Sequence, residues 1–536
     1  MSPSDLEPPV RRGPRHAAPR RRRRFWPRKR WVQVTLTIGL VMVVAVASYS
    51  GYVWYEANRV NHVAVNGLTD GPSNGTSQGT ENILMVGSTD RCSLKVQNPI
   101  YGICSQGVTG VNSDVVMILH LNPAKSKISI LSIPRDTFIP NARKDGANKI
   151  DAALAEGPAQ LVNAIQQDFG IPIQHFVELN FDTFAGVVDA LGGLDMYFPR
   201  PVYDSFSQLK QLTSGCVHLD GFHALTLVRA RHLQYQPNAS YGSNPANWPQ
   251  EPQSDLARIR RNHEFLRVLA AAVSKQGLGN PITDAKLIAA VAPQLTVDSG
   301  FSTSHMADLI LAFHTVDAQK APQLTLPVMP SNSYSYVYKG YDYGNVEFPD
   351  NVPDLLAIQE FLGVSALTNT MTGRALPKPS TITVSVLNGS GTYNQGASTA
   401  AELGQLGYKI GTIGDRTPVG NPAQTFVAYN STKPEVIAQA QRVLRSLSGQ
   451  VVLAYEPNET APITVITGTH FAVIAPVAPP VTTTTTKASG GPSTTASVPS
   501  TTTTTPVSGF SPTTPATSDL AEWDPRSCTA NRTAGP

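Results

Sequence analysis

Residues 112–136 read NSDVVMILHLNPAKSKISILSIPRD, and the pairing of this stretch sets the fold. Two runs rich in Val, Ile and Leu flank Asn122-Pro123-Ala124-Lys125-Ser126-Lys127, which predicts a buried antiparallel hairpin with a six-residue loop. Closing it at Leu121 and Ile128 sets Asp114 opposite Arg135. Cross-strand partners share a face, with Cβ atoms roughly 5 Å apart. The pair reads either as a strand-end salt bridge, a kind worth little, or as a carboxylate and a guanidinium placed at a sheet edge to hold a metal and a phosphate.

Upstream, Ile83-Leu84-Met85-Val86 reads as a buried strand that stops at Gly87-Ser88-Thr89-Asp90-Arg91. Asp90 therefore falls on the loop past a strand end, where functional side chains and ordinary turn residues both occur. Downstream, Pro158 to Phe169 carries Leu161, Ile165 and Phe169 on one helical face, with Gly170 as the stop. A strand near His175–Leu179, a helix over Asp182–Leu191 and a strand at Leu194–Phe198 follow. Interleaving of this kind predicts an α/β domain with a mixed, largely antiparallel sheet covered by helices.

LDGFHALTLVRAR at 219–231 is open between helix and strand, and only a strand puts Arg229 and Arg231 on one face. Ser254 reads as an N-cap opening SDLARIRRNHEFLRVLAAAV. Leu256, Ile259, Leu266, Leu269 and Val273 form its apolar stripe, and Arg258 and Arg261 share another face, either a solvated basic face or part of a site.

The formal net charge of +4 hides an uneven distribution, because eleven of the 42 Lys and Arg lie in residues 1–30. A basic run such as Arg20–Arg24 can bind nucleic acid, but residues 31–55 follow without a charge and are long enough for a bilayer span of about 20 residues. We therefore expect a membrane signal anchor with the basic segment cytoplasmic, the rest extracytoplasmic and no nucleic-acid partner. Ala45-Val46-Ala47 also resembles a signal-peptidase site, which would release the protein. A glycine-bearing linker over 56–81 leads to the main domain at 82–369.

Residues 370–380 read as a second linker, and 381–456 as a small α/β domain containing Asn388-Gly389-Ser390-Gly391 ahead of a helix. The Thr- and Pro-rich stretch 476–536 reads as a disordered tail. Of the four cysteines, Cys92 and Cys104 suggest a local disulfide, while Cys216 and Cys528 are left over as a possible second pair.

Asp90, Asp114, Arg135, Arg229, Arg231, Arg258 and Arg261 fall at predicted element ends. Two carboxylates can share a hard cation such as Mg²⁺ or Mn²⁺, and arginines grip phosphate oxygens bidentately. This is a parts list for a pyrophosphate. No Walker loop, kinase signature or Ser-His-Asp arrangement competes with it.

Taken in order, GSTDR at 87–91, NSDVVMILHLNPAKSKISILSIPRDTFIP, KIDAAL at 149–154, VELNFDTFAGVVDALGGLDMYFP, LDGFHALTLVRAR and SDLARIRRN resemble the LytR-CpsA-Psr family of cell-wall glycopolymer ligases. VSVLNGSG and the helix after it resemble the LytR C-terminal domain. The resemblance implies a phosphotransferase that moves a glycosyl phosphate from a polyprenyl pyrophosphate carrier to a muramic acid hydroxyl of peptidoglycan, with arabinogalactan as the leading polymer. Asp90 and Asp114 would bind Mg²⁺, and Arg135, Arg229, Arg231 and Arg258 would grip the pyrophosphate, with Arg261 as a fifth candidate. Asn262 stands where the family usually has Gln. A lipid pyrophosphatase and a non-enzymatic wall-binding scaffold are the alternatives.

Overall fold

The computed structural model describes residues 43–44, 47–70, 79–92, 94, 102–252, 254–276, 288–289, 292–313, 320–331, 335–416, 422–474 and 520–528. Residues 43–44 and 47–55 are helical, and the other residues of the expected 31–55 anchor, like segment 1–30, lie outside this description. Among the described residues no helix is long and apolar enough to cross a membrane.

The predicted hairpin is present in the predicted register. Strands β1 (Asn61–Val63), β2 (Glu81–Ser88), β3 (Ser113–Asn122), β4 (Lys127–Ile133), β5 (His175–Leu179), β6 (Thr296–Asp298) and β7 (Gln323–Thr325) make a seven-stranded sheet of order β1-β6-β5-β2-β3-β4-β7. Leu121 pairs with Ile128 and Val116 with Ile133. Asn122 also pairs with Lys127, so the loop is tighter than expected: its side chain accepts from Lys125 N, and Ser126 turns left-handed at φ 48°. β2–β3, β3–β4 and β5–β6 are antiparallel, and β1–β6, β2–β5 and β4–β7 are parallel.

Alternation along β2 to β4 sends apolar side chains to both faces. Leu84, Val86, Ile118 and Leu131 pack on Leu161 and Ile165 of α1 (Pro158–Phe169) and on Ile358 and Phe361 of a later helix, Asn351–Leu362. Ile83 and Leu121 pack on Val297, Phe301 and Leu309. A second layer joins α2 (Phe181–Ala190), α3 (Gly221–Arg229) and α4 (Ser254–Gln276) to the antiparallel strands Leu194–Phe198 and Gly215–Leu219 around Val188, Phe198 and Phe265. Segment 219–231 thus resolves as a helix, N-capped by Asp220, whose carboxylate accepts from His223 N. Arg229 ends that helix and Arg231 lies beyond it.

Several boundaries differ from the sequence reading because backbone groups find distant partners. The expected linker 56–81 contributes β1 to the sheet and donates Thr69 N to Ile173 O at 2.7 Å. The expected linker 370–380 begins in contact, with Thr370 Oγ1 donating to Gly170 O and Gln441 Nε2 to Thr370 Oγ1. The small domain extends beyond Glu456, since Ile463–Thr467 is the central strand of its five-stranded sheet.

Part of the expected disordered tail is also structured: Arg526–Ser527 pairs with Leu194–Phe198, and both Cys92–Cys104 and Cys216–Cys528 are disulfides. Trp523 stacks on Tyr235 at 3.9 Å, and the buried Asp524 accepts from Arg260 Nε at 2.5 Å. Residues 475–519 and 529–536 of that tail lie outside the description. Removing one partner of a buried ion pair costs roughly 3 kcal/mol, so Asp524→Ala is expected to lower stability by about that amount in urea denaturation.

Candidate functional site

The site lies where β2 ends and β3 begins. Gly87 pairs with Val115 but Ser88 pairs with Ser113, so Asp114 is the extra residue of a β-bulge. Such bulges re-aim side chains at sheet edges. A Cβ on Gly87 would sit 3.0 Å from that of Val115, so a larger residue here would press on the Val115 side chain. Past β2, Thr89 N donates to Asn112 O at 2.9 Å, and the Asp90 carboxylate accepts from Cys92 N at 2.9 Å, with the Cys92–Cys104 disulfide tying down the same loop. Asp90 and Asp114 therefore belong to adjacent strand ends. Glu178 lies close by: burial pushes its carboxyl up, against the Ser88 hydrogen bond, and the charge of Asp90 adds to the rise.

β4 ends at Ile133 because Pro134 has no N–H for the ladder, and Arg135 follows. Its guanidinium donates to Asp114 through Nη1 and to Asp151 through Nη2, the latter at 2.5 Å. Arg258 on α4 donates to the Asp114 backbone carbonyl at 2.6 Å and pairs with Asp255 at 2.8 Å. Arg231 lies 3.4 Å from the same Asp255 and donates to Asp136 at 2.9 Å, while Lys149 reaches Asp136 at 3.0 Å. Asp204 fixes this turn by accepting from the backbone of Arg231 and His232. Arg229 lies with its guanidinium 4.6 Å from the Phe181 ring centre, a cation–π contact.

Asp114, Arg135, Arg231 and Arg258 thus form one connected ionic network, with Asp90 at the same sheet edge. Arg261 does not join it. Its guanidinium is 1 % exposed and donates twice to Glu251 and once to Ala230 O, with Asp524 3.6 Å away. Arg258 and Arg261 are both buried, so the reading of a solvated basic face fails for α4. The network also includes Asp151, Lys149 and Asp255, with Glu347 close enough to feel their charge, and none of the four was assigned to the site from the sequence. Asp151 stood in KIDAAL, and its position three residues before the end of that motif gave no sign of its partner.

The carboxylates differ sharply in proton affinity. Asp136 is held below the usual range, since burial is outweighed by Arg231, Lys149 and Arg135. Burial lifts Asp151 to about 6 despite Arg135. Glu347 is lifted to about 8 by burial and then by the charges of Asp255 and Asp136. Beside Asp114 and Arg258, Val116, Met117, Ile133 and Ile259 line a narrow recess of about 10 Å³, room for little more than one water.

The profile of the LytR_cpsA_psr family matches residues 54–350, more than half of the chain. The chain belongs to this family. A second profile, described as LytR cell envelope-related transcriptional attenuator, matches residues 381–471. Among relatives in the LytR_cpsA_psr family, "Probable cell wall biosynthesis protein LcpB" of Corynebacterium glutamicum is 29% identical over 59% of this chain and 66% of its own length. "Cell wall biosynthesis protein LcpA" of the same organism is 24% identical over 80% of this chain and 85% of its own length. "Polyisoprenyl-teichoic acid–peptidoglycan teichoic acid transferase TagU" of Bacillus anthracis is 29% identical over 31% of this chain and about half (49%) of its own length. A solved LytR-Csp2A-Psr enzyme from Actinomyces oris aligns over 51% of this chain and 90% of its own, at 25% identity and a TM-score of 0.40.

Because the folded protein holds Glu347 near pKa 8 against an ordinary value of 4.5, its contribution favours the folded state at low pH and is lost as pH rises through about 8. Glu347→Gln should match wild-type stability near pH 4 and exceed it by at least about 1 kcal/mol at pH 9, as read by urea denaturation at both pH values.

Proposed function

We propose that this protein is a cell-wall glycopolymer ligase that transfers a glycosyl phosphate from a polyprenyl pyrophosphate to peptidoglycan. The observation that carries the reading is the ionic network in which Arg135 and Arg258 reach Asp114 at the bulged strand end and Arg231 joins them through Asp136 and Asp255. Every one of these guanidiniums is held by a carboxylate, which keeps it oriented and charged. Bidentate donors of this kind suit the oxygens of a pyrophosphate, and Arg229 is the nearest further donor in sequence.

Asp90 and Asp114 offer an oxygen-only donor set on adjacent strand ends, which fits a hard divalent cation such as Mg²⁺. When bound, such an ion would neutralise charge on the phosphates. Arg135, Arg231 and Arg258 would hold the phosphate oxygens and stabilise the negative charge that builds on them. The acceptor hydroxyl attacks phosphorus, the bond to the polyprenyl phosphate breaks and the lipid monophosphate leaves. Asp136 is a poor recipient for the hydroxyl proton, because Arg231 and Lys149 hold it ionised.

The names of LcpA, LcpB and TagU support this reading, and the match to LcpA through both domains supports an actinobacterial wall polymer, with arabinogalactan as our choice. The uncharged stretch 31–55 supports anchoring in the cell membrane with residues 1–30 in the cytoplasm.

Arg135→Ala and Asp114→Ala are each expected to lower acceptor-dependent release of polyprenyl phosphate by at least about 10³-fold with unchanged circular dichroism. Wild-type rates in both would remove the site assignment. Release at the same rate without peptidoglycan acceptor would instead identify a pyrophosphatase, and no release in the wild type a scaffold.

A further inference from the structure

At the opposite end of β2 from Asp90 lies a second polar cluster, built from Glu81, His175 and His305. Glu81 is the first residue of β2, His175 the first of β5, and His305 lies in the first turn of the helix Thr303–Phe313. Glu81 Oε2 is 2.9 Å from His305 Nε2 and 4.0 Å from His175 Nε2, and one ligand atom from each residue falls within 4.8 Å of the others. Donors bonded at about 2.0–2.1 Å to a tetrahedral ion lie roughly 3.3 Å apart, so the three atoms already stand near the corners of such a site.

The surroundings are those of a metal ligand. His175 Nδ1 faces Asp298 Oδ2 at 3.1 Å, and Asp298 is itself fixed by Phe176 N at 3.0 Å and Gly300 N at 2.9 Å. A carboxylate on Nδ1 sets the tautomer in which the Nε2 lone pair is available, the usual support of a metal-bound imidazole. Phe301 stacks on the His175 ring at 4.3 Å and meets the His305 ring edge-on, restricting both.

Charge points the same way. Glu81 and Asp298 are 2 % and 1 % exposed, and among the described residues neither pairs with Lys or Arg. A divalent cation held by Glu81, His175 and His305 would bring positive charge to these two buried carboxylates.

We propose that Glu81, His175 and His305 bind a borderline-soft divalent metal of the Zn²⁺ type, with Asp298 orienting His175 and water completing the coordination. Two imidazoles and one carboxylate favour Zn²⁺ over Mg²⁺, so this site and the Asp90–Asp114 edge take different metals. The ion would join β2, β5 and the helix Thr303–Phe313, fastening that helix to the sheet a full strand's length from the phosphate network.

The test uses the untagged full-length chain, stripped with chelator and titrated with ZnCl₂ in excess Mg²⁺. One Zn²⁺ per chain should bind at micromolar affinity or tighter, and Co²⁺ should give the visible absorption of a tetrahedral centre. X-ray absorption at the zinc edge of the wild type should show two imidazoles. Asp298→Asn should weaken binding by about 10- to 100-fold and His305→Ala by more. Absence of stoichiometric binding, a wild-type zinc spectrum without two imidazoles, or unchanged affinity in a folded His305→Ala would overturn the site. The first of these outcomes would leave the cluster as a set of Glu81–His305 and Asp298–His175 hydrogen bonds. Should His305→Ala fail to fold, the wild-type spectrum decides.

Discussion

The Arg135 guanidinium holds the strand edge together by bridging Asp114 at the start of β3 to Asp151 in the helical turn beyond the next hairpin. A half-buried arginine keeps its charge, and burial is tolerated only when carboxylates surround it. That requirement explains why acidic residues crowd a site proposed to bind anions. In the unliganded protein they act as placeholders that orient Arg135, Arg231 and Arg258. An incoming phosphate would compete with them for donors that are already aligned, so little rotamer entropy is lost on binding.

The central hairpin was legible because its alternation and turn residues are local. Leu121 and Ile128 close it, and the pairing of Asp114 with Arg135 follows. The bulge was not legible, since an extra residue at position 114 is defined only by the register of β2 against β3. The fate of α4 was misread for a related reason. Heptad-like spacing separates faces but cannot say what covers them, and Arg261 is covered by Glu251 and by Asp524, far away in sequence. Of the positions of the network not assigned to the site, Lys149 and Asp151 gain meaning only from partners outside their own motif, and Asp255 joins the site through Arg231 as well as through Arg258 one turn on.

The two α/β regions are less separate than their compositions suggest. Asn141 accepts from Tyr455 N and donates to Tyr455 O, both near 3.0 Å, much as a paired strand would. Gln424 Nε2 donates to Phe138 O, and the Asn351 amide reaches the carbonyls of Leu444 and Leu447. Phe138 and Asn141 lie on the strand Phe138–Arg143, which pairs with Gly146–Lys149. Through that pair the C-terminal domain grips the hairpin that carries Lys149 towards Asp136.

The anchored segment around Trp523 and Asp524 imposes an order of events on biogenesis. Asp524 contacts Arg260, a residue 264 positions earlier in the chain. During synthesis, α4 and Glu251 emerge long before the residue that completes their buried ion cluster. The helix that carries Arg258 therefore reaches its final packing only after residues 521–528 have been made, and the Cys216–Cys528 disulfide then fastens that segment. A chain cut before Trp523 would lack the residues that complete the buried ion cluster around Arg260 and Arg261.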